Sequence, residues 1–416
     1  MNSPRKVVVT GIGVLSSNGI GKSDFWNSNL AGTSGISEIT SFDATLLRSK
    51  IAGQIKDFNP LDYLPPKTVI KTDRFVHLGL VSCGLALNDS KLNLENEDRY
   101  KIGVIIGSGL GGVIFHEEQI MTGYEKGLHR LNPFSVPRIS PNAVSSQIAI
   151  HYDIRGPNIV ISTACSSSTI AIGEAMRKIQ YGDIDICVAG GAESPLTPFT
   201  FGAYDALKAL SRRNDSPPEA SRPFDKERDG FVLGEGAAML ILEEAGHARK
   251  RGAKIYVELI GYASNSGAYH MTMLRPCATD IIQVIIDSLK DAGVGPGEID
   301  YINAHGTSTL QNDKVETKAI KEVFSDRAYK IPISSTKSMV GHTVGAAGAI
   351  EVCVCCLCLE HQLIPPTINY KNPDPECDLD YVPNEARQAK LRTVMSNSFG
   401  FGSNNAIIIF SKYNGG

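Results

Sequence analysis

The sequence lacks the features that mark several classes of protein. Its 416 residues have a formal net charge of only −3, so no excess of positive charge indicates binding to nucleic acid or to an anionic membrane. The nine cysteines are odd in number and irregularly spaced, which argues against a disulfide framework and favours a reducing compartment. We expect no apolar stretch long enough to span a membrane. A cytoplasmic protein with neither nucleic acid nor membrane as a partner is therefore predicted.

The amino-terminal segment resembles a signal peptide only in part. Arg5 and Lys6 precede an apolar run, but that run contains Thr10, Gly11 and Gly13. No convincing small-residue cleavage site follows it. A buried strand that ends in a glycine turn explains this segment better.

Apolar β-branched runs alternate with segments of helical spacing along the chain. The predicted strands are 7–14, 101–109, 158–164, 185–191, 254–264, 299–306, 330–336 and 405–410. The predicted helices are 75–90, 142–152, 167–182, 279–293, 314–324 and 345–362. This alternation predicts an α/β fold with sheets buried between helix layers. The similar order of elements in residues 1–253 and 254–416 suggests a duplication.

Three other segments have simple structural explanations. The polar, proline-rich stretch 211–230 is predicted to be a long surface excursion. The run CVCCLC at 353–358 lacks the spacing of a metal site, so its cysteines are predicted to be small buried side chains, with no metal bound. The glycines of 109–112 indicate a tight strand-to-helix turn rather than a phosphate loop.

Cys165 lies in the sequence TACSSS, where a predicted strand ends and a predicted helix begins. The N-terminus of a helix presents free N–H groups and the positive end of a dipole, both of which stabilise a thiolate. This position would make Cys165 a nucleophile. For a cysteine taken alone, a buried structural role is the commoner explanation.

Two histidines make a reactive site the better hypothesis. His305 and His342 each follow a predicted strand, and each is flanked by a glycine, Gly306 or Gly341. Loops at strand ends gather reactive groups in α/β folds. A thiolate can accept an acyl group from a thioester at little cost, and two neutral imidazoles can stabilise an enolate oxygen. The pattern therefore indicates carbanion chemistry beside a thioester rather than peptide hydrolysis.

Six segments together resemble one known family. They are VVVTGIGVLS (7–16), RGPNIVISTACSSS (155–168), RPFDKERDGFVLGEGA (222–237), NAHGTSTLQNDKVET (303–317), STKSMVGHTVGAAGAIE (335–351) and SNSFGFGSNN (396–405). With these segments in family order, the chain resembles a β-ketoacyl-acyl-carrier-protein synthase of the elongating, synthase II-like type, in the thiolase superfamily. The resemblance implies a duplicated α-β-α-β-α layered fold and a homodimer, or a heterodimer with a related chain.

The resemblance also implies an acyltransferase that catalyses a decarboxylative Claisen condensation. Cys165 would accept an acyl chain from the phosphopantetheine of an acyl carrier protein. His305 and His342 would then stabilise the enolate formed when a malonyl unit loses CO2. The product would be a 3-ketoacyl chain two carbons longer, made without a metal or a cofactor of the enzyme's own.

Further roles follow from the family pattern. Lys337 and Glu351 would organise the histidines, and the N–H groups of Cys165 and Phe401 would form the oxyanion hole. Phe401 would also move as a gate, a motion that the flanking glycines permit. The implied gate glycines are Gly400 and Gly402. The residues implied to bind substrate are Thr272, Thr307, Thr309, Leu110, Ser135 and Tyr204. The residues implied to dock the acidic carrier protein are Lys67, Lys71, Arg130, Lys208, Arg212 and Arg213.

Some positions depart from the family pattern. Ser403 and Asn404 follow the gate where glycine and threonine are usual, and Gly267 replaces an acidic residue in a neighbouring loop. Leu110, Ser135 and Tyr204 occupy acyl-pocket positions that often hold isoleucine and phenylalanine. We therefore expect a specialised synthase that extends a polyketide or polyene chain. The alternatives are a housekeeping fatty-acid elongation synthase and a partner subunit of a heterodimeric ketosynthase.

Overall fold

The computed structural model describes residues 4–415. Its strands are β1 (Val7–Ser16), β2 (Gly19–Ile20), β3 (Ile36–Glu38), β4 (Ile51–Gly53), β5 (Ile102–Gly107), β6 (Asn158–Ile161), β7 (Ile186–Glu193), β8 (Gly236–Glu244), β9 (Val257–Ser266), β10 (Tyr301–Asn303), β11 (Ile333–Ser334), β12 (Leu363–Ile364), β13 (Arg387–Gln388), β14 (Thr393–Gly400) and β15 (Asn404–Ser411). Its α-helices are α1 (Lys22–Leu30), α2 (Pro66–Lys71), α3 (Arg74–Ser90), α4 (Val113–Lys126), α5 (Ser135–Ile139), α6 (Ala143–Tyr152), α7 (Ser167–Gln180), α8 (Pro198–Ala206), α9 (Ala245–Lys250), α10 (Thr279–Ala292), α11 (Leu310–Phe324), α12 (Lys337–Val340) and α13 (Ala347–His361).

Each half of the chain builds the same five-stranded unit. In the first half, β8 pairs antiparallel with β1 and β7, while β5 pairs parallel with β7 and β6. In the second half, β15 pairs antiparallel with β9 and β14, while β10 pairs parallel with β14 and β11. The two units join where β1 pairs antiparallel with β9. The predicted duplication is therefore confirmed.

The helices complete a five-layer arrangement. Helices α7 and α13 contact each other and strands of both units, so they form the middle layer. Helices α3 and α6 cover the outer face of the first unit, and α10 and α11 cover that of the second. The order of layers is α-β-α-β-α, as predicted.

Helix α13 is a core helix. By length and composition residues 344–361 could cross a membrane, which corrects the expectation that no stretch is long enough. However, 89% of that window is buried inside the protein. A helix that is apolar on all sides packs in the interior of a large domain, and all four cysteines of 353–358 are buried there.

The sequence analysis did not predict strands β8 and β14. It also did not predict the strands of two or three residues, which are β2, β3, β4, β12 and β13. The middle of β14 is polar, because it contains Ser396, Asn397 and Ser398, all fully buried. The Asn397 amide donates to Glu316 at 3.1 Å, and the Ser398 hydroxyl lies 2.7 Å from that of Thr169. Hydrogen bonds let polar side chains occupy a central strand, and no apolar pattern marks such a strand.

The expectation that 211–230 forms a surface excursion is wrong for its second part. Arg222, Asp225 and Arg228 are buried. Arg228 forms ion pairs with Asp313 at 3.4 Å and Asp374 at 2.8 Å. Buried charges require such partners, and these come from distant segments that the local composition does not reveal.

The close approach of α7 and α13 gives a stability prediction. A Cβ at Gly348 would lie 1.9 Å from Thr169 Oγ1 and 3.0 Å from its backbone nitrogen. Gly348→Ala should therefore lower the free energy of unfolding by about 1–3 kcal/mol, the usual cost of overpacking. Thermal unfolding measures the effect. In the control Gly297→Ala, the new Cβ meets nothing within 4 Å, so an equal loss in both variants would contradict the prediction.

Candidate active site

One cavity of about 360 Å³ brings Cys165, His305 and His342 together. These three residues come from three loops that are far apart in sequence. The remaining lining residues are Tyr204, Leu207, Ala209, Phe231, Thr272, Met273, Leu274, Thr307, Thr309, Gln311, Asn312, Val344, Phe399, Gly400 and Phe401.

Cys165 sits on a sharp turn between β6 and α7. The preceding residue, Ala164, has a φ of +52°, a conformation that costs an L-residue free energy. Ser167 stabilises this turn, because its hydroxyl accepts the Thr163 N–H at 2.9 Å and donates to the Ala164 carbonyl at 2.6 Å. The second serine of TACSSS therefore holds the turn that presents the thiol.

Burial raises the pKa of Cys165 to about 11, against the opposing effects of the Phe401 N–H and the Lys337 charge. The resting group at neutral pH is therefore a thiol. This corrects the expectation of a thiolate at the helix N-terminus, since loss of hydration outweighs the favourable contacts.

The surroundings of both histidines favour one tautomer. Lys337 Nζ lies 3.4 Å from His305 Nδ1, and an ammonium group can only donate. His342 Nδ1 accepts the Val344 N–H at 3.3 Å. Both rings therefore carry their proton on Nε2. Burial lowers the pKa of both imidazoles well below the ordinary value, with Lys337 adding to the effect, so both are neutral.

The two rings form a compact pair of donors. Their centroids are 5.5 Å apart and their planes are nearly perpendicular, at 85°. Phe399 packs edge-on against His305 at 5.6 Å, and Phe231 packs against His342 at 5.3 Å. These aromatic contacts fix the orientation of each ring. Neither phenylalanine was among the predicted site residues.

Lys337 and Glu351 lie behind His305 and do not line the cavity. Lys337 Nζ donates to the His305 carbonyl at 2.6 Å and forms an ion pair with Glu351. Burial raises the pKa of Glu351 to about 7, and Lys337 opposes this shift. Lys337 therefore links the backbone of His305 to Glu351.

Glu316 is a residue that the prediction missed. Its carboxylate accepts the N–H groups of His305 and Gly306, both at 2.8 Å, and the Asn397 amide at 3.1 Å. It therefore fixes the backbone of the histidine loop. A signal was present, because Glu316 is an acidic residue within the family segment 303–317.

Glu193 was missed as well. Its carboxylate accepts N–H groups from Gly109 at 2.6 Å, Leu110 at 3.0 Å and Gly345 at 3.0 Å. Burial raises the pKa of Glu193 to about 7. The carboxylate ties the turn after β5 to the loop after His342. Its partners come from separate segments, so no local sequence pattern indicates this role.

Two predicted acyl-pocket residues do not line the cavity. Leu110 bonds through its backbone to Glu193. Ser135 begins α5 and its hydroxyl donates to the Asn132 carbonyl at 2.6 Å. Tyr204, the third predicted position, does line the cavity.

The gate segment and the neighbouring loop are joined by three hydrogen bonds. Gly402 N–H donates to Met271 O at 2.8 Å, and Gly267 N–H donates to Ser403 O at 2.7 Å. The Ser403 hydroxyl donates to His270 O at 3.1 Å. A Cβ at Gly267 would lie 2.3 Å from Asp280 Oδ2, so glycine fits this position. The departures at Gly267 and Ser403 thus lie in one contact between the two loops.

Three threonines that the resemblance implies to bind substrate, Thr272, Thr307 and Thr309, line the cavity. The hydroxyl groups of Thr307 and Thr309 bond to each other at 2.9 Å, and the Thr272 hydroxyl lies 3.3 Å from His270 Nδ1.

The six predicted docking residues differ in whether they pair with a carboxylate of this chain. Arg213 forms an ion pair with Glu227 at 3.5 Å. Over residues 4–415, the other five have no carboxylate partner and are exposed. These five are Lys67, Lys71, Arg130, Lys208 and Arg212.

Comparison with known proteins identifies the family. The family model "Beta-ketoacyl synthase, N-terminal domain" matches residues 4–248, and "Beta-ketoacyl synthase, C-terminal domain" matches residues 256–371. The chain belongs to the β-ketoacyl synthase family. This membership confirms the resemblance and the predicted class, a ketosynthase-type acyltransferase.

Relatives of two kinds match over nearly their whole length. The chain is 48% identical to 3-oxoacyl-[acyl-carrier-protein] synthase 2 of Coxiella burnetii, covering 98% of this chain and 99% of the relative. It is 43% identical to putative polyketide beta-ketoacyl synthase 1 of Streptomyces halstedii, covering 98% of each.

Two solved ketosynthase structures are similar to this chain over nearly its whole length. One similar structure is AntDE:AntF, described as a type II polyketide synthase acyl-carrier protein in complex with its ketosynthase bound to the hexaketide. It matches with a TM-score of 0.92 at 37% identity, covering 99% of this chain and 100% of the other. The ishigamide ketosynthase/chain length factor matches with a TM-score of 0.92 at 34% identity over the same shares.

The state of Cys165 gives a second prediction. With a pKa of about 11, its alkylation by iodoacetamide should accelerate about tenfold per pH unit from neutral pH to about pH 10, because only the thiolate reacts. Cys277 is an internal control. It is exposed, and hydrogen bonds with Thr279 lower its pKa below the ordinary value of 9.0.

Peptide mass spectrometry separates the two sites. The rate at Cys277 should level off at a lower pH than the rate at Cys165, which should still rise toward pH 10. A plateau for Cys165 near neutral pH would show that the resting group is a thiolate.

Proposed function

We propose that the protein condenses a malonyl unit with an acyl chain held on Cys165, releasing CO2 and a 3-ketoacyl chain two carbons longer. The observation that carries this proposal is the lining of one cavity by a thiol and two neutral imidazoles. The thiol supplies a nucleophile and the imidazoles supply two N–H donors, which decarboxylation to an enolate requires.

In the first step, the Cys165 sulfur attacks the thioester of an acyl carrier protein. The new bond joins sulfur to the acyl carbon, and the bond to the phosphopantetheine sulfur breaks. The thiol proton of Cys165 ends on the released phosphopantetheine thiol. One thioester replaces another, so the step is close to balanced in free energy.

In the second step, the malonyl group on the phosphopantetheine arm of a carrier protein enters the same cavity, and its carboxylate leaves as CO2. The electron pair of the broken bond forms an enolate, whose oxygen accepts the Nε2–H groups of His305 and His342. The enolate carbon then attacks the Cys165 thioester. The Cys165 sulfur departs as a thiolate and regains a proton from water.

The other predicted residues fit supporting roles in this cycle. Lys337 and Glu351 hold His305, and the N–H groups of Cys165 and Phe401 receive the thioester oxygen. Phe401, between Gly400 and Gly402, opens the cavity for the second substrate. Gly402 has a φ of +78°, which suits a flexible hinge. No metal or resident cofactor takes part, since both substrates arrive on phosphopantetheine.

We also propose a dimer. Strand β6 lies at one end of the main sheet in the described structure. The free backbone N–H and C=O groups of such an edge strand can pair with a strand of another chain. Apolar side chains are exposed beside this edge, because Ile159 of β6 is 37% exposed and Ile150 of the adjoining helix α6 is 72% exposed. Ser135 does not line this chain's cavity and begins α5, which contacts α6, so its predicted place in an acyl pocket would require the partner chain. A second copy and a related chain both fit this surface.

The departures from the family pattern support extension of a polyketide or polyene chain. Housekeeping fatty-acid elongation is the alternative, as relatives of both kinds match. A partner subunit without chemistry is disfavoured, because Cys165 and both histidines are in place. We propose that the enzyme acts in the cytoplasm, where its nine free cysteines stay reduced.

The two half-reactions can be separated by mutation. Cys165→Ala should form no acyl adduct with an acyl carrier protein. His305→Ala and His342→Ala should still be acylated, but release of CO2 from malonyl carrier protein should fall about 10²–10³-fold, because one enolate donor is lost.

Intact-protein mass spectrometry measures the adduct and labelled malonyl groups measure the CO2. His361→Ala is the matched control, because this residue ends α13 at the opposite end from the site. Loss of acylation in the histidine variants, with CO2 release unchanged, would assign the histidines to the first step and refute the proposal.

The docking surface can be tested by charge reversal. Lys67→Glu/Lys71→Glu should raise the KM for acyl carrier protein about tenfold and leave reaction with a small acyl thioester unchanged, because rim charges steer an acidic partner without touching the chemistry. The control Lys330→Glu/Lys390→Glu changes net charge equally at exposed positions. If both double variants behave alike, docking does not use α2.

A further inference from the structure

The cavity has two kinds of lining. On its polar side, Thr307 and Thr309 bond to each other, Thr272 bonds to His270, and the Gln311 amide donates to Leu274 O at 3.0 Å. These groups are already satisfied within the protein. The apolar side is formed by Leu207, Ala209, Phe231 and Val344.

Tyr204 is the exception on the apolar side. Its ring packs edge-on against Phe231 at 5.9 Å and contacts the apolar cluster that contains Cys165. Among residues 4–415 its hydroxyl has no hydrogen-bond partner, and it is not sealed in the interior. Every other hydroxyl group on the cavity wall has a partner.

Tyr204 lines the same cavity as Cys165, the residue that would carry the acyl chain. Burial raises the pKa of Tyr204, and Cys165 contributes in the same direction. The phenol is therefore a neutral donor in the cavity that an acyl chain on Cys165 would occupy. Water can satisfy it while the cavity is empty. A saturated chain would displace that water and leave the donor unpaired, which is costly.

We propose that Tyr204 is a specificity-determining residue that favours acyl chains bearing an oxygen on the third carbon, as a 3-oxo or 3-hydroxy group. Such an oxygen accepts the phenolic hydrogen that a saturated or polyene chain leaves unpaired. This inference rests on the condensing function proposed above and names the substrate class for it. On this inference, the enzyme prefers polyketide chains whose 3-oxo group is unreduced or reduced only to a hydroxyl over polyene chains.

The test compares the rate of acyl transfer to Cys165 from four carrier-protein thioesters of equal length: octanoyl, 3-oxooctanoyl, 3-hydroxyoctanoyl and octa-2,4-dienoyl. The wild type should favour the two oxygenated chains by roughly tenfold, the typical effect of a hydrogen bond that one substrate makes and another lacks. Tyr204→Phe keeps the ring and removes the hydroxyl, so it should abolish the preference mainly by accelerating octanoyl transfer.

Tyr181→Phe, at an exposed tyrosine, is the matched control, and thermal unfolding shows that each variant folds. Equal substrate ratios in the wild type and Tyr204→Phe would overturn the inference and leave the condensing function intact. A preference for the dienoyl chain would also overturn it. Absence of a Cys165 adduct with every thioester would overturn the proposed function, and this inference with it.

Discussion

The site depends on the contact between the two buried helices of the middle layer. Helices α7 and α13 approach closely because Gly348 leaves room for Thr169. The Ser168 hydroxyl accepts the Ala349 N–H at 2.9 Å, so one helix satisfies a free donor at the N-terminus of the other. The two N-termini therefore lie side by side. Cys165 precedes one of them and His342 precedes the other.

The two neutral imidazoles lie near buried charged groups, and each of those groups needs a partner of its own. Lys337 is the cation beside His305, and its ion pair with Glu351 keeps it from being an isolated buried charge. Glu316 and Glu193 are satisfied by backbone N–H groups instead. These contacts hold the loops of His305 and His342 without placing another donor in the cavity. The two Nε2–H groups thus remain free for the substrate.

Much of this arrangement could be predicted, because it is local in sequence. Apolar runs located most strands, and Cys165, His305 and His342 each mark a strand end. Strand β14 could not be found this way, since its polar residues are buried by partners from elsewhere. The thiol state of Cys165 was also beyond local reasoning, because it depends on burial by the whole fold. Glu193 illustrates the limit, because its partners come from two separate segments, the turn at Gly109 and Leu110 and the loop at Gly345.

The duplication explains why one chain can hold both a nucleophile and its electrophilic partners. In the first unit, Ala164 begins the turn into α7 and has a φ of +52°. In the second unit, Val344 begins the turn into α13 and has a φ of +45°. Both are positive values that a side chain disfavours. The two units thus share a strained turn at the same place. The turn of the first unit presents Cys165 to the cavity. In the turn of the second unit, the Val344 N–H orients His342. Equivalent backbone therefore serves two chemical roles that meet in one cavity.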